Sequence, residues 1–301
     1  MVAVEIRINE GNIVSQNTNN DEIENGLPAF PYTVVKIEGE ANQAPGLVSS
    51  GTGFFYRVDT KSGPIMMIAT NKHVIDGLDV LRFHMPLTSS AGKRSFEPAE
   101  LVTVNTASYP IFRHPDPSVD LAMVAAMPIL EHIVSKNKKP FFLSLSKDNF
   151  PPQWLTQKLS AFTNVIMIGF PNGLMDITNN LPISRRGILS THYYADYNGA
   201  KNFVVDIAAF GGSSGSPVFA YFEGMAPTDD GWALGQTSAY FIGVLHSGPT
   251  LSAQGEVVPA PIPTSRQVSK TSLMMHLGYC AKVSLLNDFV PLVERHLETH
   301  G

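Results

Sequence analysis

Short apolar runs, separated by Gly, Pro, Asn and Asp, recur along this sequence from residue 30 onward. Runs of this length without strong helical periodicity are typical of β-strands joined by turns. A first series occupies residues 32–37, 53–58, 65–70, 80–85, 101–104 and 121–126. A second series occupies residues 158–162, 165–170, 187–192, 203–208, 217–222, 241–246 and 277–283. The pattern predicts an all-β protein whose antiparallel sheets close into a sandwich or barrels.

The spacing of these runs predicts two β units. The first comprises residues 30–127 and the second residues 158–283. Residues 128–157 between them contain prolines and several lysines, which is typical of a connection.

The two ends of the chain differ from the β units. Residues 1–29 are mostly polar, and we expect a loose arm or one peripheral strand there. Residues 284–301 are expected to form a helix, which Asp288 can cap and whose first turn tolerates Pro291. The apolar face of this helix is expected to pack on the second unit.

The composition argues against several functional classes. With 301 residues, 44% of them apolar and 16% charged, the chain is expected to fold around a substantial core. The net charge of −5 and the lack of a dense Lys/Arg block argue against nucleic acid and anionic membranes as partners. No apolar run approaches the length of a membrane span.

Cysteine usage and the N-terminal residues bear on cellular location. Cys280 is the single cysteine, so an intrachain disulfide is impossible, which fits a reducing compartment. Residues 1–7 are too polar for a signal peptide, and we expect a soluble, cytoplasmic protein. Cys280 itself is expected to be a small buried residue rather than a nucleophile.

Residues 210–219 form a Gly/Ser segment between two apolar runs. Both flanking runs are predicted strands, so the segment is expected to be a tight loop. Glycine lets backbone N–H groups converge on one point, because no Cβ restricts φ and ψ. A serine there has what covalent acyl transfer requires, a nucleophile beside donors for the oxyanion. The alternative is a turn that only connects two strands.

A serine hydroxyl needs a general base, usually a histidine that a carboxylate orients. His73 follows the run 65–70, where a strand leaves the core and the ring is free to face a cleft. Asp120 directly precedes the nearly all-apolar run 121–126. A carboxylate at the edge of a buried strand is costly unless it is paired, and a histidine N–H would pair with it.

Three motifs in the chain order His, Asp, Ser resemble those of the chymotrypsin/trypsin-like serine proteases. They are Thr70-Asn71-Lys72-His73-Val74, Asp120-Leu121-Ala122 and Gly212-Ser213-Ser214-Gly215-Ser216-Pro217. Further matches are Gly51-Thr52-Gly53-Phe54-Phe55, Ile168-Gly169-Phe170-Pro171-Asn172-Gly173 and Gly187-Ile188-Leu189-Ser190. Together they are most similar to the bacterial HtrA-type branch, over residues 30–285, with no room for a PDZ domain.

This resemblance implies a fold and an activity. The fold would be two six-stranded antiparallel β-barrels of the trypsin type with a C-terminal helix. The activity would be that of a serine endopeptidase, which hydrolyses polypeptides through an acyl-enzyme.

Carried over residue by residue, the resemblance assigns the catalytic roles. Ser214 would be the nucleophile, and His73 the general base and then the general acid. Asp120 would hold the imidazole in its productive tautomer. The backbone N–H groups of Gly212 and Ser214 would form the oxyanion hole.

The resemblance also assigns substrate-binding residues. The family's substrate-binding strand corresponds here to His246, Ser247 and Gly248. Ala208 matches the floor of the primary specificity pocket and offers no carboxylate to bind Lys or Arg. An apolar or small P1 side chain is therefore implied, and no metal or other cofactor is expected.

Two departures from the digestive enzymes of the family bear on regulation. Ser213 stands where those enzymes carry an aspartate that pairs with a newly cut N-terminus, and no Ile-Val-Gly-Gly activation site is visible. Zymogen activation of that kind is therefore not expected. Gly211 and Gly212 would leave the loop free to flip, which predicts that loop ordering controls activity.

Competing interpretations attach to a second serine and to other carboxylates. Residues 211–215 also fit the G-x-S-x-G pattern of α/β-hydrolases with Ser213 as nucleophile, but that pattern leads into a helix, whereas a β-type run follows here. Asp116, between two prolines, is the rival of Asp120 and is better explained by a turn. Asp76 and Asp79 are the remaining candidates for orienting the general base.

Two further alternatives remain. Four histidines could be considered as metal ligands, but none shows paired ligand spacing: His84, His114, His246 and His276. The alternative to an enzyme is a binding or scaffold protein that keeps a trypsin-like fold without catalysis. The sequence does not indicate an oligomeric state.

Overall fold

A computed structural model of the protein describes residues 27–43, 48–88, 99–257 and 267–300, which form two β units. The predicted N-terminal arm, residues 1–29, lies outside these ranges except for the start of a 3₁₀ helix, Leu27–Thr33.

The first unit is a seven-stranded antiparallel sheet with the strand order β5-β4-β1-β2-β3-β7-β6. Its strands are β1 Val34–Glu40, β2 Val48–Thr60, β3 Gly63–Thr70, β4 Val80–Met85, β5 Glu100–Asn105, β6 Ile111–Arg113 and β7 Ala122–Ala125. A closed barrel of six strands was predicted, but within the described residues β5 and β6 do not pair and the sheet is open. The seventh strand is β6, whose three residues are too few to form an apolar run.

The second unit is a closed barrel of six antiparallel strands, as predicted, with the order β10-β17-β14-β11-β8-β9. Its strands are β8 Asn164–Gly169, β9 Ile183–Leu189, β10 Asn202–Asp206, β11 Pro217–Phe222, β14 Ser238–Ser247 and β17 Leu277–Lys282. The predicted all-β class is confirmed.

Two hairpins accompany the sheets in the described ranges. They are β12 Met225–Pro227 with β13 Trp232–Leu234, and β15 Thr250–Val257 with β16 Gln267–Met274. The sequence did not predict them, because β12 and β13 are very short and β15 and β16 are rich in polar residues.

The helices of the described residues are short. They are α1 Lys72–Ile75, α2 Met127–Ser135, α3 Gln153–Thr156 and α4 Val290–His300. In α2, which lies in the predicted connection, one face packs into the core of the first sheet through Ile129, Leu130 and Ile133. None of the helices in the described ranges is long and apolar enough to cross a membrane.

Residues 158–162 do not form the predicted strand. They follow α3, and the Lys158 N–H donates to the Leu155 carbonyl (2.8 Å), which continues the helical turn. Phe162 has a positive φ of 75° and is 81% exposed, whereas Leu159 is buried. The apolar residues of this segment therefore lie in a turn and not in an extended chain.

Both faces of β2 are buried, because a strand alternates its side chains between two faces. Phe55 packs in the core of the first sheet, whereas Phe54 packs in a second core between the two units. There its ring meets Phe241 edge-on at 5.3 Å, and Phe241 lies 5.7 Å from Phe219. Aromatic packing along β2 thus joins the first sheet to the barrel.

A C-terminal helix forms as predicted, but the α-helix begins at Val290, so Asp288 lies inside the preceding 3₁₀ segment and not at the predicted cap position. We expected the helix on the second unit, but His296 of α4 contacts Phe112 edge-on at 5.3 Å, and Glu294 accepts from the Lys61 N–H (3.1 Å), so the helix lies against the first sheet. The 3₁₀ segment before it, Val283–Phe289, is the part that contacts the barrel, at β14. Within that segment Asp288 pairs with the His114 ring at 3.1 Å.

Candidate active site

Strand pairing places His73 beside Asp120. His73 lies on α1, directly after β3, and Asp120 lies directly before β7. Because β3 and β7 are neighbours with Thr70 opposite Ala122, the end of one strand meets the start of the other. His73 Nδ1 lies 2.5 Å from Asp120 Oδ2, and the His73 backbone N–H donates to Asp120 Oδ1 (3.1 Å). The Asn71 side chain donates to the Asp120 carbonyl (2.6 Å), which fixes the carboxylate further.

The surroundings keep Asp120 ionised. Partial burial disfavours the charge, but the hydrogen bond from the His73 ring, the charge of that ring and the His73 backbone N–H together hold the pKa of Asp120 below its ordinary value. A carboxylate that accepts at Nδ1 assigns the imidazole proton to Nδ1 and leaves Nε2 as a proton acceptor. Since the His73 side chain is 49% exposed, its ring can reach a bound molecule.

Residues 210–216, which we call the Gly/Ser loop, connect β10 to β11 through a conformation that only glycine adopts readily. Gly212 and Gly215 have φ of +79° and +86°. A Cβ at Gly215 would lie 1.9 Å from the Thr52 carbonyl oxygen, and one at Gly212 would lie 2.7 Å from that of Phe170. Both glycines are therefore required by backbone conformation and by space.

Donors outside the Gly/Ser loop hold three of its carbonyl groups. The Asn172 N–H donates to the Gly211 carbonyl (2.5 Å), and the Thr52 hydroxyl donates to the Gly212 carbonyl (3.0 Å). The Thr52 N–H donates to the Ser214 carbonyl (2.9 Å). The loop that two glycines would leave free to flip is thus tied on both sides.

The Ser214 hydroxyl is half-buried, and in the described structure it bonds to the His246 carbonyl at 3.5 Å and not to the His73 ring. Hydrogen bonds between catalytic groups are often long before a substrate binds. His246 sits at an irregularity of β14, since Leu245 is opposite Cys280 and Ser247 is already opposite Tyr279. A bulge of this kind re-aims a side chain, and bulges are common beside active sites.

The His246 ring lies close to the other candidate residues. Burial is the main reason why the pKa of His246 lies below its ordinary value; the charge of Asp120 opposes this shift, and that of His73 adds to it. Its Nδ1 lies 2.9 Å from the Ser247 hydroxyl, and its buried Nε2 has no hydrogen-bond partner among the described residues. The structure therefore places His246 beside Ser214, through its carbonyl, and within the electrostatic reach of Asp120 and His73.

The residues predicted to bind substrate are partly or fully accessible. Ser247 is exposed, and Gly248 and Ala208 are half-buried. The Ala208 carbonyl accepts a hydrogen bond from the Arg185 guanidinium. The same guanidinium lies over the Phe210 ring, 4.8 Å from its centroid. The Arg185 guanidinium is therefore held against the segment that contains Ala208.

The rival carboxylates have other partners. Asp116 accepts from the Ser118 N–H (2.8 Å) and hydroxyl (2.6 Å), which is the turn role that the sequence favoured. Asp76 binds Arg113 (2.7 Å), and Asp79 accepts from the Asn42 N–H (2.7 Å).

The other histidines considered as metal ligands, and the cysteine, have contacts or surroundings of their own. His84 lies 3.0 Å from Glu38, and His276 packs edge-on against Phe210 at 5.5 Å. Across the described ranges, no three His, Cys, Asp or Glu residues are grouped as a metal site would require. Cys280 is fully buried, and burial raises the pKa of its thiol.

The α/β-hydrolase interpretation of Ser213 does not fit the geometry. Ser213 is fully buried, and Pro217 begins strand β11 where that interpretation needs a helix.

Thr52 and Asn172 belong to two of the sequence motifs, but the motifs predict no role for either residue. A signal for Thr52 was present, because it is a hydroxyl next to the apolar run 53–58. A buried hydroxyl is costly without a hydrogen-bond partner, so a threonine there needs one. Nothing in the sequence could show that the partner would be the Gly/Ser loop.

The structure is that of a β protein of two units, with a histidine–aspartate pair where two strands of the first sheet meet and a serine in a glycine-shaped loop before β11. The trypsin-like peptidase domain family matches residues 51–225, more than half of the chain, and the chain therefore belongs to this family and is a serine peptidase. No curated protein matches the sequence significantly.

Solved structures with a related arrangement include two proteases. One is the active form of the Rv3671c protease from M. tuberculosis, with 16% identity, a TM-score of 0.42 and coverage of 86% of this chain and 80% of that chain. The other is the HtrA-type protease AlgW with a decapeptide, with 13% identity, a TM-score of 0.43 and coverage of 91% of this chain and 65% of that chain.

Proposed function

We propose that this serine peptidase is an endopeptidase whose catalytic residues are Ser214, His73 and Asp120. The observation that carries the proposal is the 2.5 Å contact between His73 Nδ1 and Asp120 Oδ2. This contact leaves Nε2 of the same ring available as a base on an exposed side chain. The second support is the Gly/Ser loop, in which Ser214 lies between two glycines of positive φ and the neighbouring carbonyl groups are held by hydrogen bonds.

The proposed reaction has two halves. In the first, Ser214 Oγ attacks the carbonyl carbon of a peptide bond, and His73 Nε2 takes the hydroxyl proton and passes it to the departing amine. The oxyanion of the tetrahedral intermediate accepts from the N–H groups of Gly212 and Ser214, a pair in which losing one donor typically lowers the rate by about 10²–10³. In the second half, water attacks the acyl-enzyme with the help of the same histidine and restores the hydroxyl.

We propose an uncharged P1 side chain, apolar or small. Ala208 supplies no carboxylate at the predicted pocket floor, and its carbonyl already holds the Arg185 guanidinium. A cation in that position repels the charge of a P1 Lys or Arg side chain. Profiling with a peptide library tests this preference, and strong cleavage after Lys or Arg would overturn it.

Labelling with a fluorophosphonate, followed by intact-mass analysis, tests the catalytic assignment. Wild type is expected to gain one adduct, whereas Ser214→Ala and His73→Ala are expected to gain none. Peptide mapping should place the adduct on Ser214. A folded wild type that gains no adduct would instead favour a binding or scaffold protein on the same fold.

The cytoplasmic location and the absence of nucleic acid and membrane partners stay predictions from the sequence. Polypeptides are the proposed substrates, because that is the substrate class of the family.

A further inference from the structure

Thr52 belongs to the first sheet, yet its polar groups bind the other unit. It lies on β2, opposite Lys36 of β1, and is fully buried. Its hydroxyl donates to the Gly212 carbonyl (3.0 Å) and accepts from the Phe170 N–H (3.0 Å). Its backbone N–H donates to the Ser214 carbonyl (2.9 Å). One threonine thus uses both its donor and its acceptor capacity beside the proposed nucleophile.

These bonds fix the planes of peptide groups around Ser214. In a trans peptide the C=O and the N–H point in opposite directions, so a held carbonyl also aims the N–H of the next residue. Thr52 holds the carbonyls of Gly212 and Ser214, which belong to the peptide groups on either side of the Ser213–Ser214 peptide. The Ser214 N–H, a proposed oxyanion donor, lies in that enclosed peptide, whose own carbonyl accepts from the Ser216 N–H (3.1 Å).

The hydrogen bonds select the loop conformation, because the glycines of the loop have no strong backbone preference of their own. Gly211 and Gly212 reach positive and negative φ at similar cost, so the intrinsic barrier against a flipped peptide is small. The Asn172 N–H holds the peptide that carries the Gly212 N–H, through the Gly211 carbonyl (2.5 Å). Thr52 holds the next peptide along, and the two proposed oxyanion donors therefore depend on adjacent anchors.

The position of Thr52 is itself supported. Its carbonyl accepts from the hydroxyl of Thr70, a buried residue, at 2.7 Å, which ties β2 to the end of β3. The same carbonyl oxygen lies against Gly215, where an added Cβ would approach to 1.9 Å. The backbone of β2 and the Gly/Ser loop are therefore in direct contact.

We propose that Thr52 is a positioning residue that holds the oxyanion donors of the Gly/Ser loop in their productive orientation. The inference rests on the catalytic roles proposed above for Ser214 and Gly212. It makes the first sheet responsible for the geometry of the oxyanion hole in the second unit.

Three substitutions at position 52 vary the hydrogen-bonding capacity of the side chain. Thr52→Val keeps the shape and the backbone N–H but removes the donor and the acceptor of the side chain. Thr52→Ser keeps the hydroxyl, and Thr52→Cys offers a weak donor. The matched control is Thr33→Val, which removes another buried threonine hydroxyl, one that donates to the Phe30 carbonyl (2.7 Å) away from the site.

Kinetics with a peptide substrate are the first readout. We expect Thr52→Val to lower kcat by about 10- to 100-fold with little change in KM, because misplaced oxyanion donors act on the transition state. Thr52→Ser should restore kcat to within about threefold of wild type, with Thr52→Cys between the two. Thr33→Val should lose about as much thermal stability as Thr52→Val but keep the wild-type kcat. If Thr52→Val keeps the kcat of the control, or Thr52→Cys keeps the wild-type kcat where Thr52→Val does not fold, the proposal is wrong.

Hydrogen exchange of the free enzyme is the second readout, and it does not depend on activity. Peptides covering residues 210–217 should exchange faster in Thr52→Val than in wild type, and at the wild-type rate in Thr33→Val. Unchanged exchange in Thr52→Val would overturn the positioning role. Failure of wild type to react with a fluorophosphonate would overturn the proposed function instead, so the two failures are distinguishable.

Discussion

Asp120 contacts His73 through two strands that are neighbours in one sheet, whereas the Gly/Ser loop takes its hydrogen bonds from elements of both units. The first arrangement needs only the register of β3 and β7. The second needs β2 and the segment after β8 to meet residues 211–214 from different sides. The His–Asp pair is thus a local product of one sheet, while the surroundings of Ser214 exist only when both units are assembled. Substitutions that act on one of the two regions test this difference.

The largest effect is expected in the His–Asp pair. Asp120→Asn should lower kcat by about 10⁴, since an amide stabilises the wrong imidazole tautomer while leaving the shape of the site intact. The measurement is kcat with a peptide substrate, together with the thermal unfolding midpoint. Asp116→Asn is the control, because the hydrogen bonds that its carboxylate makes with described residues go to Ser118, in the same turn. A kcat within tenfold of wild type would mean that another group orients His73.

A substitution in the Gly/Ser loop should come next. Gly215→Ala forces a Cβ to within 1.9 Å of the Thr52 carbonyl oxygen at φ +86°, so β2 and the loop must separate. We expect kcat to fall by about 100-fold, because small displacements of reacting groups cost about that much. Gly224→Ala is the matched control, since Gly224 has φ +71° with open space around it. The control should lose about 1 kcal/mol of stability and keep its kcat. Equal kcat values for the two variants would mean that β2 does not hold the loop.

The smallest effect is expected on the pH dependence of stability, at Glu100 on β5, an edge strand of the first sheet. Hydrogen bonds from Lys136 and Lys138 lower the pKa of Glu100 to about 2. A lowered carboxyl pKa stabilises the fold above the ordinary value of 4.5, and this contribution is lost as the pH falls toward 2. Glu100→Gln should therefore lower the unfolding free energy at pH 7 by about 0.5 kcal/mol, since solvent screens the lysines, and should match wild type near pH 2.

Denaturant unfolding at a series of pH values measures this difference, with Glu131→Gln on α2 as the control. The kcat of Glu100→Gln should equal that of wild type at pH 7. A reduced kcat would show that the stability of the first sheet and the geometry of the Gly/Ser loop are not separable.

Much of the fold could be predicted because burial leaves a pattern in the sequence. Strands β4 and β11 were predicted with the bounds that the structure shows, since each is an apolar run that ends at turn residues. The prediction of a strand at residues 158–162 was wrong, because an apolar composition does not distinguish a strand from a turn that buries one side chain, here Leu159. Strand β6 was not predicted, because three residues are too few to show an alternation of apolar and polar side chains.

The packing of the C-terminal helix could not be predicted from its own residues. Its amphipathic pattern identifies a face but not the surface that covers it. The surface is chosen by residues distant in the chain, such as Lys61 and Phe112, whose contacts with α4 follow from the path of β2 and β6.

For the site, the chemical groups and their order could be predicted from the sequence: a histidine after one strand, an aspartate before another, and a serine among glycines. The strands that flank these groups are visible as apolar runs. The assembled fold was needed to show that Thr52 and Asn172 anchor the Gly/Ser loop and that His246 lies near the His73–Asp120 pair. The hydrogen bonds that carry those roles join residues far apart in the chain, for example the 160 positions between Thr52 and Gly212, and a one-dimensional pattern holds no record of such distances.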